Sequence, residues 1–544
     1  MKTKYITLIA LATLSLTACE NMLDAPYQGG TQDSEQFAQN SGGMMALATG
    51  AVSQLGVPYN NFASERDDDL GYTAYTLSLD LNSGDMVNPP SGYDWFTVAL
   101  DYSDRTPTYA NPNMRLGMFF KTIYAANNVL AQIPAGTEDE TFIVARGQLK
   151  ATRAWAYLAL APYYQFKYVG NEDKLSLPIL ADTTDVYNNP RVSLSKLYAF
   201  IMDDLNDAIA DLNGYTRSHK GQIDQQVAYG LRARANLYME KWAEAASDAA
   251  EAVAGYTPYA ISELTQPGFC DASDHSWMWA LLIPATVAGE ELATWPSQIG
   301  SFSGNSYTAY GAIYRQINSL LYAKIADTDV RKSWWLDLNQ QSPYLEGLTW
   351  TDEAKGIVYK GQDIAKARIA DVKEAMPPYS NVKFGQRSGI GSPYNDGDWC
   401  LMRAEEMLLI QAEAKAKAGD VAGGKSILES FVQTYRDPAF ISKAASAEEL
   451  SDEVWLQRRI ELWGEGFAMA DKMRLEKNIV RFKNGDETSN VDDVYKFNIA
   501  AGDPWLLLRF PQTEINANNA IEQNTGGNLP QTGDGATLRD GVTD

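Results

Sequence analysis

Over much of this chain, apolar residues recur every three or four positions, the spacing that lines one face of an α-helix. The strongest instance is 145–166, ARGQLKATRAWAYLALAPYYQF. Leu149, Ala151, Ala154, Trp155, Ala156, Tyr157, Leu158, Ala159, Leu160 and Ala161 leave it almost no polar side. A helix apolar nearly all round is a buried helix. Arg146, Lys150 and Arg153 fall on one stripe, where they can meet water or carboxylates. Pro162 sits near the end, where a proline stops or kinks a helix. The same period predicts helices over 41–64 (Met44, Met45, Leu47, Val52), 111–134 (Met118, Phe119, Ile123, Ala126, Val129, Leu130) and 196–212 (Phe200, Leu205, Ile209, Leu212), the last opened by Ser193 and Ser195.

Two stretches read as helix pairs. In 221–256, Ala228, Leu231, Ala235 and Tyr238 stripe one helix and Trp242, Ala246, Ala249 and Val253 the other, with Gly255 in the place of a C′ glycine. The turn at Met239–Trp242 resembles that of a tetratricopeptide hairpin. In 400–435 the idea repeats: Ala404, Leu408 and Ala412, a turn at Ala418-Gly419-Asp420, then Ile427, Leu428 and Phe431. Between them, 257–398 is irregular and rich in exposed-looking aromatics: Trp277, Trp279, Trp295, Tyr307, Tyr310, Tyr314, Trp334, Trp335, Tyr344, Trp350 and Tyr359. Some of these must be core, as Tyr314 near Leu320 and Leu321 is expected to be. Those set among Gly and Ser, namely Trp295, Tyr307 and Tyr310, are the candidates for a surface platform, with Asn305 and Ser306 beside them. An earlier loop, rich in turn residues, adds Tyr72, Tyr93 and Trp95.

Composition narrows the function. The chain has 544 residues, 45% hydrophobic, enough for a large core and for two or three ordinary domains. A net charge of −24 would repel phosphates, so no nucleic-acid partner is expected. Only two histidines, His219 and His275, argue against a histidine-based metal or catalytic centre. The run Glu65-Arg66-Asp67-Asp68-Asp69 lacks the alternating ligands and turn glycine of a calcium loop, and is expected to be a solvated loop or helix start. Cys270 and Cys400 could pair in an oxidising compartment, but nothing in the sequence places them together, and two separate buried thiols are expected.

The N-terminus has the look of a targeting segment: Lys2 and Lys4, then an apolar run from Tyr5 to Leu16, too short to span a bilayer. Leu16-Thr17-Ala18-Cys19 resembles a bacterial lipobox, which would make Cys19 the acylated first residue of the mature protein. Several buried acyl chains, at ~0.8 kcal/mol per CH₂, would anchor it stably to a membrane. The expected organisation is a signal peptide over 1–18, a lipidated tether over 19–40 and one domain over 41–544. Within that domain the helical scaffold covers about 41–256 and 399–524, and the loop-rich insertion about 257–398.

Three ordered motifs carry a family resemblance. Arg403-Ala-Glu405-Glu406 through Gln411-Ala-Glu413-Ala resembles the "RxAEvxLxxAEA" helix of SusD/RagB outer-membrane nutrient-binding lipoproteins. The block Gln457-Arg458-Arg459-Ile-Glu461 through Glu465-Gly466 to Asp471-Lys472-Met-Arg474 is similar to that family's "ERRxELxxEGxRxxDLxR". Pro511, Glu514, Asn518, Ile521, Gln523 and Asn524 match "PxxEixxNPxLxQN". Gln457, Ala468, Lys472 and Asn519 depart from the usual residues, which puts local ion pairs in doubt. The resemblance implies a mostly α fold, with tetratricopeptide-like helix pairs as scaffold and a loop-rich ligand-binding insertion. It also implies a lipid-anchored place on the outer membrane's external face, and oligosaccharide capture for a SusC-like TonB-dependent transporter. No cofactor, metal or catalytic residue is implied. Tyr72, Tyr93, Trp95, Trp295, Asn305, Tyr307 and Tyr310 are the expected ligand contacts. The alternatives are a peptide-binding RagB-like member and an all-helical glycoside hydrolase. The latter needs two carboxylates about 5–9 Å apart, one of them with a raised pKa. Arg459, Glu461, Glu465, Asp471 and Arg474 lie at helical spacings that suit ion pairs, and Gly464 and Gly466 suit close backbone approach.

Overall fold

The computed structural model describes residues 41–62, 65–89, 94–183, 187–352 and 355–543. The expected signal peptide, Cys19, the tether and Tyr93 lie outside these residues. The helical periodicity becomes α1 (Ser41–Ser53), α2 (Tyr72–Ser83), α3 (Ala110–Leu130), α4 (Glu140–Tyr164), α5 (Leu194–Asp211), α6 (Gln225–Tyr238), α7 (Trp242–Val253), α8 (Ala404–Lys417), α9 (Val421–Tyr435), α10 (Ala447–Glu461) and α11 (Ala468–Arg474). The protein is mostly helical. Side-chain caps open several of these helices: Asp139 for α4, Ser193 for α5, Asp224 for α6 and Ser446 for α10.

Helix α4 is the buried one. Trp155 is 2% exposed, and its ring meets Tyr72 at 5.2 Å, Phe119 at 5.8 Å and Trp279 at 5.1 Å. Its polar stripe meets carboxylates of α5: Arg146 pairs with Asp211 at 2.6 Å, Arg153 with Asp204 at 2.7 Å, and Lys150 with Asp207. One stripe of cations thus sets the register of one helix against the next. Helices α6 and α7 form one hairpin, α8 and α9 another, and α7 packs on α8. Two hairpins separated in sequence by the long insertion are therefore neighbours in space.

Among the described residues, four two-stranded antiparallel pairs stitch the irregular parts to this scaffold. They are β1 (Met86–Val87) with β5 (Gln316–Ile317), β2 (Leu175–Pro178) with β3 (Arg191–Ser193), β4 (Trp277–Leu281) with β8 (Trp399–Arg403), and β6 (Thr349–Asp352) with β7 (Ile357–Lys360). Residues 400–403, read as the start of a helix, are thus strand, and α8 begins only at Ala404.

The reading of 257–398 as a carrier of exposed aromatics is corrected. Trp277, Trp279, Trp334, Trp335, Tyr344 and Trp350 are all buried, in one continuous core with α2 to α6, and Tyr314 is buried with them, as expected. Pairing of β4 with β8 holds Trp277 and Trp279 in that core, where each large aromatic removes much apolar area from water. The acidic run is corrected too. Asp68 is buried against Arg66, and buried Asp69 accepts from the Asn61 and Phe62 amides at 2.8 and 3.1 Å. The run folds back and caps the preceding turn. Cys270 and Cys400 are free and half-buried, and burial pushes both thiols up, Cys270 to about 12.

Candidate functional site

Pairing of β1 with β5 sets the early loop against the insertion. Just beyond the pair, Arg315 Nη1 donates to Asp94 Oδ2 at 2.8 Å, with both side chains at most 1% exposed. Asp94 also accepts from Asn88 Nδ2 and from the Phe96 amide, at 2.5 and 3.1 Å. Phe96 is buried beneath Arg315. With both neighbours anchored inward, Trp95 is left half-buried at the surface.

The insertion supplies the facing ring. Ser306 caps a one-turn helix, Tyr307–Tyr310, by accepting from the Ala309 amide. Thr308 and Ala309 are buried, so Tyr307 is half-buried and Tyr310 is 58% exposed. Trp95 Nε1 donates to Tyr307 Oη at 3.1 Å, and Tyr307 donates to Asp67 Oδ2 at 2.6 Å. Each bond in such a chain polarises the next. Tyr59 donates to Asp67 Oδ1 at 3.1 Å and reaches Glu291 Oε2 at 3.3 Å. One hydroxyl proton serves one acceptor at a time, so these carboxylates keep acceptor capacity. Burial, then Asp67 and Glu291, hold the Tyr59 hydroxyl protonated far above the usual phenol range. Arg66 lies over the Trp95 ring, 4.9 Å from its centroid, while its guanidinium forks onto Asp68. The result is a shallow aromatic surface with a polar fringe.

Of the sequence candidates, Trp95 and Tyr307 are brought together and Tyr310 stands exposed on the same short helix as Tyr307. Asn305 is half-buried and frames the loop: its Nδ2 donates to Glu290 O at 2.7 Å. Trp295 is corrected. It is 1% exposed, donates from Nε1 to Gly397 O, and packs on Trp399 and Phe384. Tyr72 is corrected also, since its ring packs on Trp155, Phe119 and Tyr75 and burial pushes its hydroxyl well up. Sequence reading did not single out Tyr59, Arg66, Asp67 or Glu291 for this surface. Arg66 and Asp67 were read only as part of the acidic run, and nothing local pointed to Tyr59 or Glu291.

The carboxylates of the second motif are engaged in ion pairs, as their spacing suggested. Glu461 is fully buried among Arg331, Arg403 and Arg436, at 3.1, 2.7 and 2.7 Å. Glu465 meets Arg403 and Lys383, at 2.8 and 2.7 Å. Burial alone would raise both groups, but the facing cations outweigh it and hold both below the usual carboxylate range. Neither is a proton donor at neutral pH. Asp471 pairs with Arg458 and Arg474, and Arg459 with Asp85 and Asp540. Two departures from the motif join this network: Lys472 meets Asp85 at 2.8 Å, and Gln457 accepts from Arg331. Among the described residues, no group of three or more His, Cys, Asp or Glu converges on a metal position.

Residues 328–526 match the sequence profile of the SusD family. No curated protein sequence matches the chain. Among solved structures it is similar to a SusD-like carbohydrate binding protein from Bacteroides vulgatus ATCC 8482, at TM-score 0.70 and 23% identity over 89% of this chain and 97% of that one. A putative sugar binding protein from the same organism aligns at TM-score 0.65 and 20% identity, over 89% and 98% of the two chains. A laminarin binding SusD-like protein aligns at TM-score 0.60 and 17% identity, again over 89% and 98%. At these identities the likenesses show a shared fold, and over residues 328–526 the chain is similar in sequence to the SusD family.

Proposed function

We propose that this protein is a cell-surface glycan-binding lipoprotein. It captures oligosaccharides at the Trp95–Tyr307 site and delivers them to a SusC-like TonB-dependent transporter. The observation that carries the reading is the convergence of Trp95 and Tyr307 from loops 212 residues apart. A pyranose offers a flat C–H face and a rim of hydroxyls. Half-buried rings take the face, while Arg66, Asp67, Tyr59 and Glu291 take the rim. The names of the laminarin binding and carbohydrate binding neighbours support the ligand class. Anchoring through Cys19 rests on the lipobox. No helix among the described residues is long and apolar enough to cross a membrane, which accords with a lipid anchor.

Calorimetry on a glycan panel tests the reading. We expect a Kd of ~10 μM to 1 mM for a retained glycan, and a loss of ~1–3 kcal/mol in Trp95→Ala, as for removal of a stacking ring. Unchanged affinity in a folded Trp95→Ala protein would place the site elsewhere. Turnover of the glycan by the wild type would restore the hydrolase alternative.

A further inference from the structure

Helix α3 carries a second stripe that the site above does not use. Asn113, Gly117, Lys121 and Tyr124 recur at helical spacing and look onto a groove of about 340 Å³. Phe120 and Pro178 belong to its apolar lining, and Glu514, from the C-terminal motif, adds a carboxylate. Tyr124 is 43% exposed, one of the large rings that packing leaves uncovered. Gly117 keeps the groove open, since a Cβ there would meet only Asn113 Oδ1, at 3.5 Å. The lining therefore combines an aromatic and aliphatic floor with an amide, an ammonium and a carboxylate at the edge.

The groove adjoins the first site. Lys121 Nζ donates to Asn60 O at 3.1 Å, and Asn60 follows Tyr59, whose hydroxyl bonds Asp67 beneath Tyr307. The same loop borders both places. An ammonium has three protons, so two stay available to a ligand.

We propose that this groove is a second saccharide subsite, which takes further units of a glycan whose other end lies on Trp95 and Tyr307. The inference rests on the glycan reading of that first site. A unit held at one site puts the next units at high effective concentration over the other, so even a weak subsite sharpens selection for long chains.

The test is calorimetry with two- and six-unit members of four neutral linear glycans: β-1,3-glucan, α-1,4-glucan, β-1,4-xylan and β-1,4-mannan. The proteins are wild type, Gly117→Leu, Tyr124→Ala and Trp95→Ala, each checked by circular dichroism. Leucine favours a helix more than glycine does, and at 117 it fills the groove. Should it perturb the fold, the exposed Tyr124→Ala carries the test. The wild type should bind a hexamer at least tenfold tighter than its dimer, beyond the few-fold that sliding registers give. Both groove variants should lose that gain and bind the dimer as wild type does. Equal wild-type affinity for dimer and hexamer, or groove variants that keep the gain, would overturn the subsite and leave the first site standing. A Trp95→Ala protein that binds like wild type would overturn the first site, and the subsite with it. Wild type that binds none of the four glycans overturns both.

Discussion

Trp95 stands between two residues that are both drawn inward, Asp94 by Arg315 and Phe96 by the core. That alternation leaves a tryptophan at the surface at little conformational cost, because its neighbours already fix the backbone. Trp295 has the opposite fate. A Cβ on the facing Gly397 would lie 2.5 Å from the Trp295 ring, so the glycine is what lets the indole close onto the backbone there. Trp295→Ala should cost ~3–5 kcal/mol of stability through lost burial and the cavity left behind. Trp95→Ala should leave the melting temperature nearly unchanged. A Trp295→Ala protein that melts with the wild type would show that this ring is not core.

At the scale of elements, the ion pairs of α10 and α11 tie distant segments together. Glu461 ends α10, yet its partners come from 331, 403 and 436. The turn that follows contains Gly464 and Gly466 at positive φ, 80° and 87°, where a Cβ would lie 2.6 Å from Phe384 and 2.5 Å from Thr76. Glycine is needed there both for the left-handed backbone and for the close approach. Removing a single member of a buried charge cluster leaves the others uncompensated. Glu461→Gln should therefore destabilise by about 3–5 kcal/mol, as denaturant titration would read. A loss under about 1 kcal/mol would place this cluster with exposed pairs of little worth.

At the scale of the molecule, these carboxylates set the response to acid. Asp85, Asp104, Glu461, Glu465 and Asp471 are all buried, and facing arginines or lysines outweigh that burial and hold them below their ordinary values. The unfolded chain, with pKa values near ~4, binds more protons than the folded one as pH falls below that range. Their stabilisation is thus present above about pH 4 to 5 and lost as pH falls through the folded values. Asp68, Asp80, Asp204 and Asp274, whose carboxyls burial pushes up, act in the opposite sense and are outnumbered. Melting temperature should be nearly level from pH 7 to 5 and fall steeply below about pH 4. A level profile down to pH 3 would contradict the assignment. Beyond the fold, Cys19→Ala should move the protein out of the membrane fraction or leave it unprocessed. A mutant that is processed and fractionates like wild type would remove the lipid anchor from the proposal.

The scaffold was legible in the sequence because its signals are local. Helical period, the Ser193 cap, the C′ position of Gly255 and the stripe of Arg146, Lys150 and Arg153 each act within a few turns of one helix, or against the next helix in the chain. The first two motifs were legible for a related reason: their charges are buried and must be paired, which fixes residue types at fixed spacings. The aromatic surface was only half legible. Trp95, Tyr307 and Trp295 all lie in polar, turn-rich loops, and nothing local separates them. Whether such a ring faces water depends on what lies across from it, Gly397 for Trp295 and Arg66 for Trp95. Those partners are set by the pairing of β1 with β5 and of β4 with β8, contacts between segments far apart in the chain. Only the tertiary structure decides them, because the free energy of burying a ring belongs to the pair of surfaces that meet.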